Sequence, residues 1–244
     1  MIKFFRRIRQ NLLMENKTGK YFKYAMGEIV LVVIGILIAL IINNWNEKRL
    51  AQKKEETVLF KLVEDLKIDS INLSKQFNRA KLIKKRHLDL YLIGQGKLVP
   101  DSLKNGERLR QGIIFNSAAS TNDPQLSNKI SNTIIRDQLV NYFNQLLFTE
   151  ELLKSYRNVV ENNVRPYLAE WNLLDIDSRF EDPKNPKIEI YEDKLVEHLD
   201  QSTFQQLLYE TNVKVVLVIN SLDRLKLENT ALIDLINKEL KQNR

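Results

Sequence analysis

The sequence of 244 residues contains no cysteine, and it has only seven glycines and five prolines. The absence of cysteine excludes disulfides, thiolate metal sites and cysteine nucleophiles. The few glycines form no phosphate-binding loop, and neither a GxSxG nor an HExxH motif occurs. From the sequence alone we therefore predict no enzymatic activity, no bound metal and no cofactor.

What the sequence does contain is an uncharged apolar run at residues 29–42, IVLVVIGILIALII. A run of this length also occurs in buried helices and in signal peptides. Its flanks favour a membrane span, because Tyr24 and Trp45 are the nearest aromatic residues on its two sides. At the helical rise these rings lie about 31 Å apart, close to the hydrocarbon thickness of a bilayer. We predict a transmembrane helix over residues 24–45, with Tyr24 and Trp45 as interfacial anchors.

Positive charge is concentrated before the apolar run. The net charge is +7, and residues 1–23 contribute +6 of it through seven Lys or Arg and one Glu. The nearly neutral remainder argues against a nucleic-acid partner. Apolar residues at helical spacing surround Arg6, Arg7 and Arg9, which predicts a basic amphipathic helix that anchors residues 1–23 to the bilayer surface. Ordinary flanking charges of a membrane anchor explain the same residues equally well.

The charge asymmetry also predicts orientation. Because seven Lys or Arg precede the span and four follow it closely, the positive-inside rule places residues 1–23 in the cytoplasm. Residues 46–244 are then extracytoplasmic, in the periplasm of a bacterium whose inner membrane holds the anchor. No small-residue cleavage site follows the run, so we expect the anchor to persist.

Two stretches carry a family resemblance, MIKFFRRIRQNLLMENK and KYAMGEIVLVVIGILIALIINNWNEKR. They resemble the signature of an uncharacterised family of small single-pass membrane proteins from Gram-negative bacteria. The resemblance is specific over residues 1–50 and loose beyond them, and Ile41 stands where that family commonly has Gln. It implies an inner-membrane anchor and a helical extracytoplasmic domain, without an assigned activity.

The residues after the span predict an all-α domain that begins as a continuation of the transmembrane helix. No Gly or Pro occurs between Glu47 and Ile93, and Gly94 to Gly96 end the pattern. A shorter helix is predicted from Pro100 to Phe115, followed by a loop or broken helix at residues 116–132. The predicted buried face of the first helix, at three-and-four spacing, is Leu59, Leu62, Leu66, Leu73, Phe77, Ala80, Leu88 and Tyr91.

Two further long helices complete the predicted fold. One begins near Thr133 with a kink expected at Pro166, and the alternation at Ile188 and Ile190 predicts a short strand before the last helix. Three long helices predict an elongated antiparallel bundle. The inner stripes are Ile135, Leu139, Tyr142, Leu146, Leu153, Tyr156, Val160 and Val164, and then Phe204, Leu208, Thr211, Val215, Val218, Leu222, Leu225, Asn229, Leu232 and Ile236.

Self-association has two candidate positions in the sequence. Gly27, Gly35 and Ala39 lie on one face of the span, and small residues let membrane helices approach closely, so a homo-oligomer through this helix is predicted. A generic anchor that tolerates small residues is the alternative. Asn229 occupies a core position of the heptad pattern, where Asn can fix register between chains. Packing of that face inside the same chain is favoured.

The two histidines and one acidic segment are not predicted to form a binding or catalytic site. His87 and His198 are isolated in sequence and are expected on helix surfaces. The acidic segment Asp175, Asp177, Glu181 and Asp182 has oxygens that suit a hard cation, yet it lacks the EF-hand spacing, and a solvated loop is favoured.

Three functions remain open. The first is an interaction or scaffold module that binds an unknown envelope protein. The second is a ligand-sensing or regulatory module that signals through a membrane partner. The third, an envelope hydrolase, has the least support, and convergent polar groups in a pocket would strengthen it.

Overall fold

The computed structural model describes residues 18–100, 106–122, 125–181 and 189–242. They form two compact units, Met1–Glu56 and Thr57–Arg244. The all-α prediction is confirmed. The helices are α1 Thr18–Gly94, α2 Ala118–Asn122, α3 Thr133–Val159, α4 Arg165–Glu170, α5 Asp177–Phe180, α6 Glu192–Val196 and α7 Ser202–Gln242. In the described residues, two 3-10 turns lie at Gly106–Arg110 and Leu126–Lys129, and a π turn lies at Val160–Val164. The short strands are β1 Leu174–Asp175 and β2 Glu189–Ile190.

In the first unit, the apolar run belongs to α1 and is not covered by protein. The large apolar side chains at residues 29–42 are each 46–66% exposed. The core helix of a water-soluble protein would bury such side chains, because exposing this many to water is unfavourable. α1 is therefore long and apolar enough to span a membrane.

Helix α1 ends where the sequence predicts, at its glycines. Gly96 has φ of +67°, a left-handed conformation that costs glycine little. The Lys97 amide donates to the Leu92 carbonyl at 2.8 Å and the Gly96 amide to the Ile93 carbonyl at 2.8 Å. This pair of hydrogen bonds is the Schellman motif, which satisfies carbonyls left over at the end of a helix.

The core of the second unit lies between α3, α7 and residues 57–94 of α1. Every residue of the two stripes predicted for the later helices is buried. On α1 the predicted face is correct from Leu59 to Ala80 but wrong at Leu88 and Tyr91, which are 54% and 44% exposed. Ile83, His87 and Leu90 take the core positions instead. A histidine at a core position interrupts the apolar pattern, so the spacing of apolar residues favours the neighbouring Leu88 as the buried residue.

The heptad seam of α7 packs inside its own chain. Asn229 is fully buried, and its side-chain amide donates to the Leu66 carbonyl at 3.1 Å and to the Tyr142 hydroxyl at 3.4 Å. The same hydroxyl donates to Asp69 at 3.0 Å. Asp69 also accepts hydrogen bonds from Ser117 at 2.5 Å and from the first amide of α2 at 2.6 Å. This buried polar layer fixes the register of the three long helices.

Between the long helices, the predicted short strand forms and the predicted short helix does not. The chain passes from α3 into α4 through a π turn that precedes Pro166, a residue that has no N–H to donate to the helix, and the kink expected there stays a prediction. Strands β1 and β2 pair antiparallel, with Leu174 opposite Ile190. The helix predicted from Pro100 to Phe115 is wrong, because the described part contains only the turn Gly106–Arg110 and Ile114 is exposed. Gly106 and Gly112 weaken helix formation there.

Candidate ligand groove

A groove of about 710 Å³ lies between α1 and α7 in the second unit. It opens where the two apolar clusters of the core meet, one of which includes Ile83 and Val215 and the other Leu90 and Leu208. The volume is in the range of small-molecule sites. The lining residues are Lys81, Lys84, Lys85, His87, Leu88, Tyr91, Gln205, Gln206, Leu208, Tyr209 and Asn212.

The α1 wall of the groove is one helical stripe. Lys81, Lys84, Lys85, Leu88 and Tyr91 follow one another at spacings of three, one, three and three residues, so they share a face of the helix. The basic residues come first along the chain, and the apolar and aromatic residues follow. The wall therefore has a cationic end and an apolar end.

His87 lies beneath this wall and is the most unusual group of the site. It is only 1% exposed, and neither ring nitrogen makes a hydrogen bond of full geometry to a described residue, although the Asn212 side chain acts on the ring as a hydrogen-bond partner. Burial lowers the pKa of His87 to about 4, against a weaker raising effect of the Asn212 side chain. The ring is therefore neutral at pH 7, with one N–H donor and one acceptor nitrogen. Unpaired buried polar atoms are costly, and they mark positions that a ligand can satisfy.

The α7 wall supplies polar groups around an apolar residue. Leu208 is buried, Tyr209 is 67% exposed, and Asn212 is half-buried. The Gln205 side chain donates to the Leu199 carbonyl at 3.2 Å, which holds it at one end of the groove. Convergent amides and hydroxyls on apolar walls are the usual composition of a small-molecule site.

The charges around the groove are positive. Lys84 and Lys85 are exposed, and within the described residues neither pairs with a carboxylate. Lys81 contacts the Phe77 ring, with its ammonium nitrogen 4.4 Å from the ring centroid. Nearby acids have other partners, since Asp89 lies 3.6 Å from Arg86 and Glu210 lies 3.8 Å from Lys214. Among the described residues, the mouth of the groove therefore has ammonium groups without a carboxylate partner.

The prediction of surface histidines is wrong for His87, which is the residue that makes this site unusual. A signal was present, because Ala80, Ile83, His87 and Leu90 continue a three-and-four pattern. His198 lies elsewhere, in the turn between α6 and α7, with its Nδ1 at 3.2 Å from Gln201 and its ring 4.9 Å from that of Trp171.

The acidic segment does not come together as a metal site in the described residues. Asp175 accepts hydrogen bonds from the Ser178 hydroxyl at 2.6 Å and the Ser178 amide at 3.1 Å. These bonds lower the pKa of Asp175, with the hydroxyl contributing most. Within the same described residues, no group of three or more His, Asp or Glu is arranged to hold a metal ion. Asp182 lies outside the described residues.

The membrane-associated predictions fall in the first unit. A Cβ atom built on Gly27 or Gly35 would meet nothing within 4 Å, so this face of α1 is open. The Trp45 ring lies 5.5 Å from the Arg49 guanidinium. Arg6, Arg7, Arg9 and the side chain of Tyr24 lie outside the described residues.

Among known proteins, part of this chain is similar to a family of unknown function. No curated protein matches the chain. No solved structure matches it either. The matched segment begins at Glu28, directly before the apolar run, and ends inside α3. It therefore extends beyond the residues that carry the resemblance and omits the first 27. Residues 28–137 match the sequence model of a Family of unknown function (DUF6090), which confirms the resemblance to an uncharacterised family.

Proposed function

We propose that the protein is a membrane-anchored ligand-binding module, in which α1 holds the chain in the bilayer and the groove between α1 and α7 binds a small organic molecule. The observation that carries this proposal is His87, a nearly inaccessible histidine at the groove whose ring nitrogens make no hydrogen bond of full geometry and whose polar neighbour is the Asn212 side chain of the same groove. Maintaining such a residue in a core position lowers stability. A role in hydrogen bonding to a ligand would explain why the chain keeps a histidine that lowers its stability.

The proposal favours the sensing interpretation over an enzyme. The groove offers donors, acceptors and ammonium groups. Its neutral histidine has no carboxylate, serine or second histidine among the residues that line the groove. Activation of a nucleophile needs such a pair within hydrogen-bond reach. The lining therefore suits binding rather than bond cleavage.

Binding is tested by equilibrium dialysis of the full chain in nanodiscs against 2-naphthamide, a neutral aromatic probe, with empty nanodiscs as the reference for lipid partitioning. We expect saturable retention by the parent. Asn212→Trp, which places a large ring beside His87, is expected to weaken it at least tenfold, about 1.4 kcal/mol. Leu217→Trp is the control, because Leu217 is exposed on α7 outside the groove lining. Equal retention by both variants would reject the groove as the site.

The topology of this module follows the charge asymmetry of the sequence. We place residues 1–23 in the cytoplasm and the second unit in the periplasm, with the anchor in the inner membrane. The cation–π contact between Arg49 and Trp45 supports an interface at that end of the span. A reporter active only outside the cytoplasm is expected to work when fused after Arg244. Activity of a cytoplasm-specific reporter at the same position would reverse the placement.

The scaffold interpretation has separate support and is the second candidate. Tyr209, Val213 and Leu217 follow one another at four-residue spacing on α7, and each exposes a third or more of its surface. A partner segment that packs on this apolar stripe would cover it. Substituting Val213 and Leu217 by Lys separates the two candidates, because it removes the stripe and leaves the residues that line the groove intact. Probe binding that survives these substitutions assigns the groove its own function.

A further inference from the structure

We propose that the ligand of this groove is an organic anion with an apolar body, such as an aryl or alkyl carboxylate. The inference rests on the proposed function, because it assigns a chemical class to the ligand of the same site. It goes further by giving separate roles to the two ends of the α1 wall and to the ring beneath it.

The cationic end selects charge. Lys84 and Lys85 are exposed at the mouth without a carboxylate partner in the described part of the chain. An anionic group placed there gains two ammonium contacts and displaces no existing ion pair. Because Asp89 and Glu210, the acids next in sequence to Leu88 and Tyr209 of the lining, are already engaged by Arg86 and Lys214, they oppose the anion less than free carboxylates would.

The apolar end holds the body of the ligand. Leu88 and Tyr91 are large side chains that expose about half of their surface on α1, and Tyr209 exposes two thirds of its surface opposite them on α7. Exposed apolar side chains facing one another across a groove are covered favourably by an apolar or aromatic group. The separation of these residues from the lysines along one helical stripe requires a ligand with an anionic end and an apolar end.

His87 contributes polarity without charge. Because its ring is neutral at pH 7, it does not add to the positive charge of the mouth. Its N–H can donate to an oxygen of a ligand that displaces the Asn212 side chain, the polar neighbour of the ring in the same groove. This arrangement favours a carboxylate, whose two oxygens can engage an ammonium group and the ring together.

The experiment compares two probes of the same shape, 2-naphthoate and 2-naphthamide, by equilibrium dialysis against the full chain in nanodiscs of zwitterionic lipid. The test variant is Lys84→Gln with Lys85→Gln. The matched control is Lys61→Gln with Lys67→Gln, which removes two exposed lysines from α1 outside the groove. We expect naphthoate to bind about tenfold tighter than naphthamide, and the test variant to abolish that difference while the control retains it.

The outcomes separate this inference from the proposed function. If both probes bind equally and Asn212→Trp removes both, the groove is a ligand site and the anion preference is wrong. If neither probe is retained above empty nanodiscs, both proposals fail. If naphthoate is preferred but the control variant loses the preference as fully as the test variant, the charge of α1 as a whole attracts the anion, and the assignment to Lys84 and Lys85 is rejected.

Discussion

At the scale of single residues, His87 occupies a core position that an aliphatic side chain would fill with a smaller loss of folding stability. Ile83 precedes it and Leu90 follows it on the same buried face of α1. Replacing a buried group that lacks hydrogen-bond partners by an apolar one of similar size is often neutral or stabilising. We therefore attribute the histidine at this position to the proposed ligand binding rather than to stability.

The buried ring makes stability depend on pH. Its pKa is about 4 in the folded chain and 6.5 when unfolded, so between these values the unfolded chain binds more protons. The His87 contribution is fully present above pH 6.5, and it is lost as the pH falls toward 4. The total loss is on the order of 3 kcal/mol. We expect His87→Leu to remove this component, measured by urea denaturation followed by circular dichroism between pH 4 and pH 8.

The comparison with His87→Leu isolates this residue from other acids that titrate in the same range. Parallel curves of unfolding free energy against pH for the two proteins would mean that the ring titrates normally, and that it is accessible in the folded chain.

At the scale of elements, the sequence predicts the buried stripes of α3 and α7 well because apolar residues fill most of their core positions, and Thr211 and Asn229 keep the same spacing. It predicts α1 less well because polar residues, Asp69 and His87, occupy buried positions. Their burial depends on partners that are distant in sequence. Asp69, for example, is satisfied by Ser117 and Tyr142, a relation that no local pattern contains.

The end of α1 gives a prediction of its own. Gly96 has a positive φ, which costs a residue with a Cβ atom about 1 kcal/mol or more. We therefore expect Gly96→Ala to lower the free energy of unfolding by about 1 kcal/mol. Gly96→Asn is the matched control, because Asn tolerates the left-handed region better than Ala. Equal losses for Ala and Asn, measured by urea denaturation, would contradict the Schellman explanation.

The groove was not predictable from the sequence. Its walls come from two helices more than a hundred residues apart, and on each helix alone the lining residues look like an ordinary solvated face. Clustered lysines such as Lys81, Lys84 and Lys85 are common on the exposed faces of helices. Only the packing of α1 on α7 gives them Leu208 and Tyr209 as neighbours.

At the scale of the whole molecule, we propose that any self-association uses the apolar segment of α1 rather than the core stripes of the second unit. Those stripes are buried in their own chain, and Asn229 bonds to α1 and α3. Gly27 and Gly35 instead have open space beside them in the first unit. Small residues allow membrane helices to approach closely, so any dimer is expected to form there.

Replacing Gly35 and Ala39 by Ile tests this expectation. We expect the full chain to sediment as a dimer in mild detergent and the double variant to sediment as a monomer. The control is Ile34→Leu with Ile38→Leu, which keeps volume nearly constant on a neighbouring face of the span. A dimer that survives in the Ile variant would place the contact elsewhere.

The central claim is that a small molecule binds in contact with His87. The NMR resonances of its imidazole nitrogens test this contact most directly. The chain has two histidines, so His198→Gln leaves His87 as the single imidazole, which ¹⁵N-histidine labelling makes visible by NMR in nanodiscs. We predict that 2-naphthoate and 2-naphthamide, in separate titrations, each shift its ring-nitrogen resonances in a saturable way, and that Asn212→Trp prevents the shift. Unchanged resonances at probe concentrations that saturate the dialysis would contradict the account.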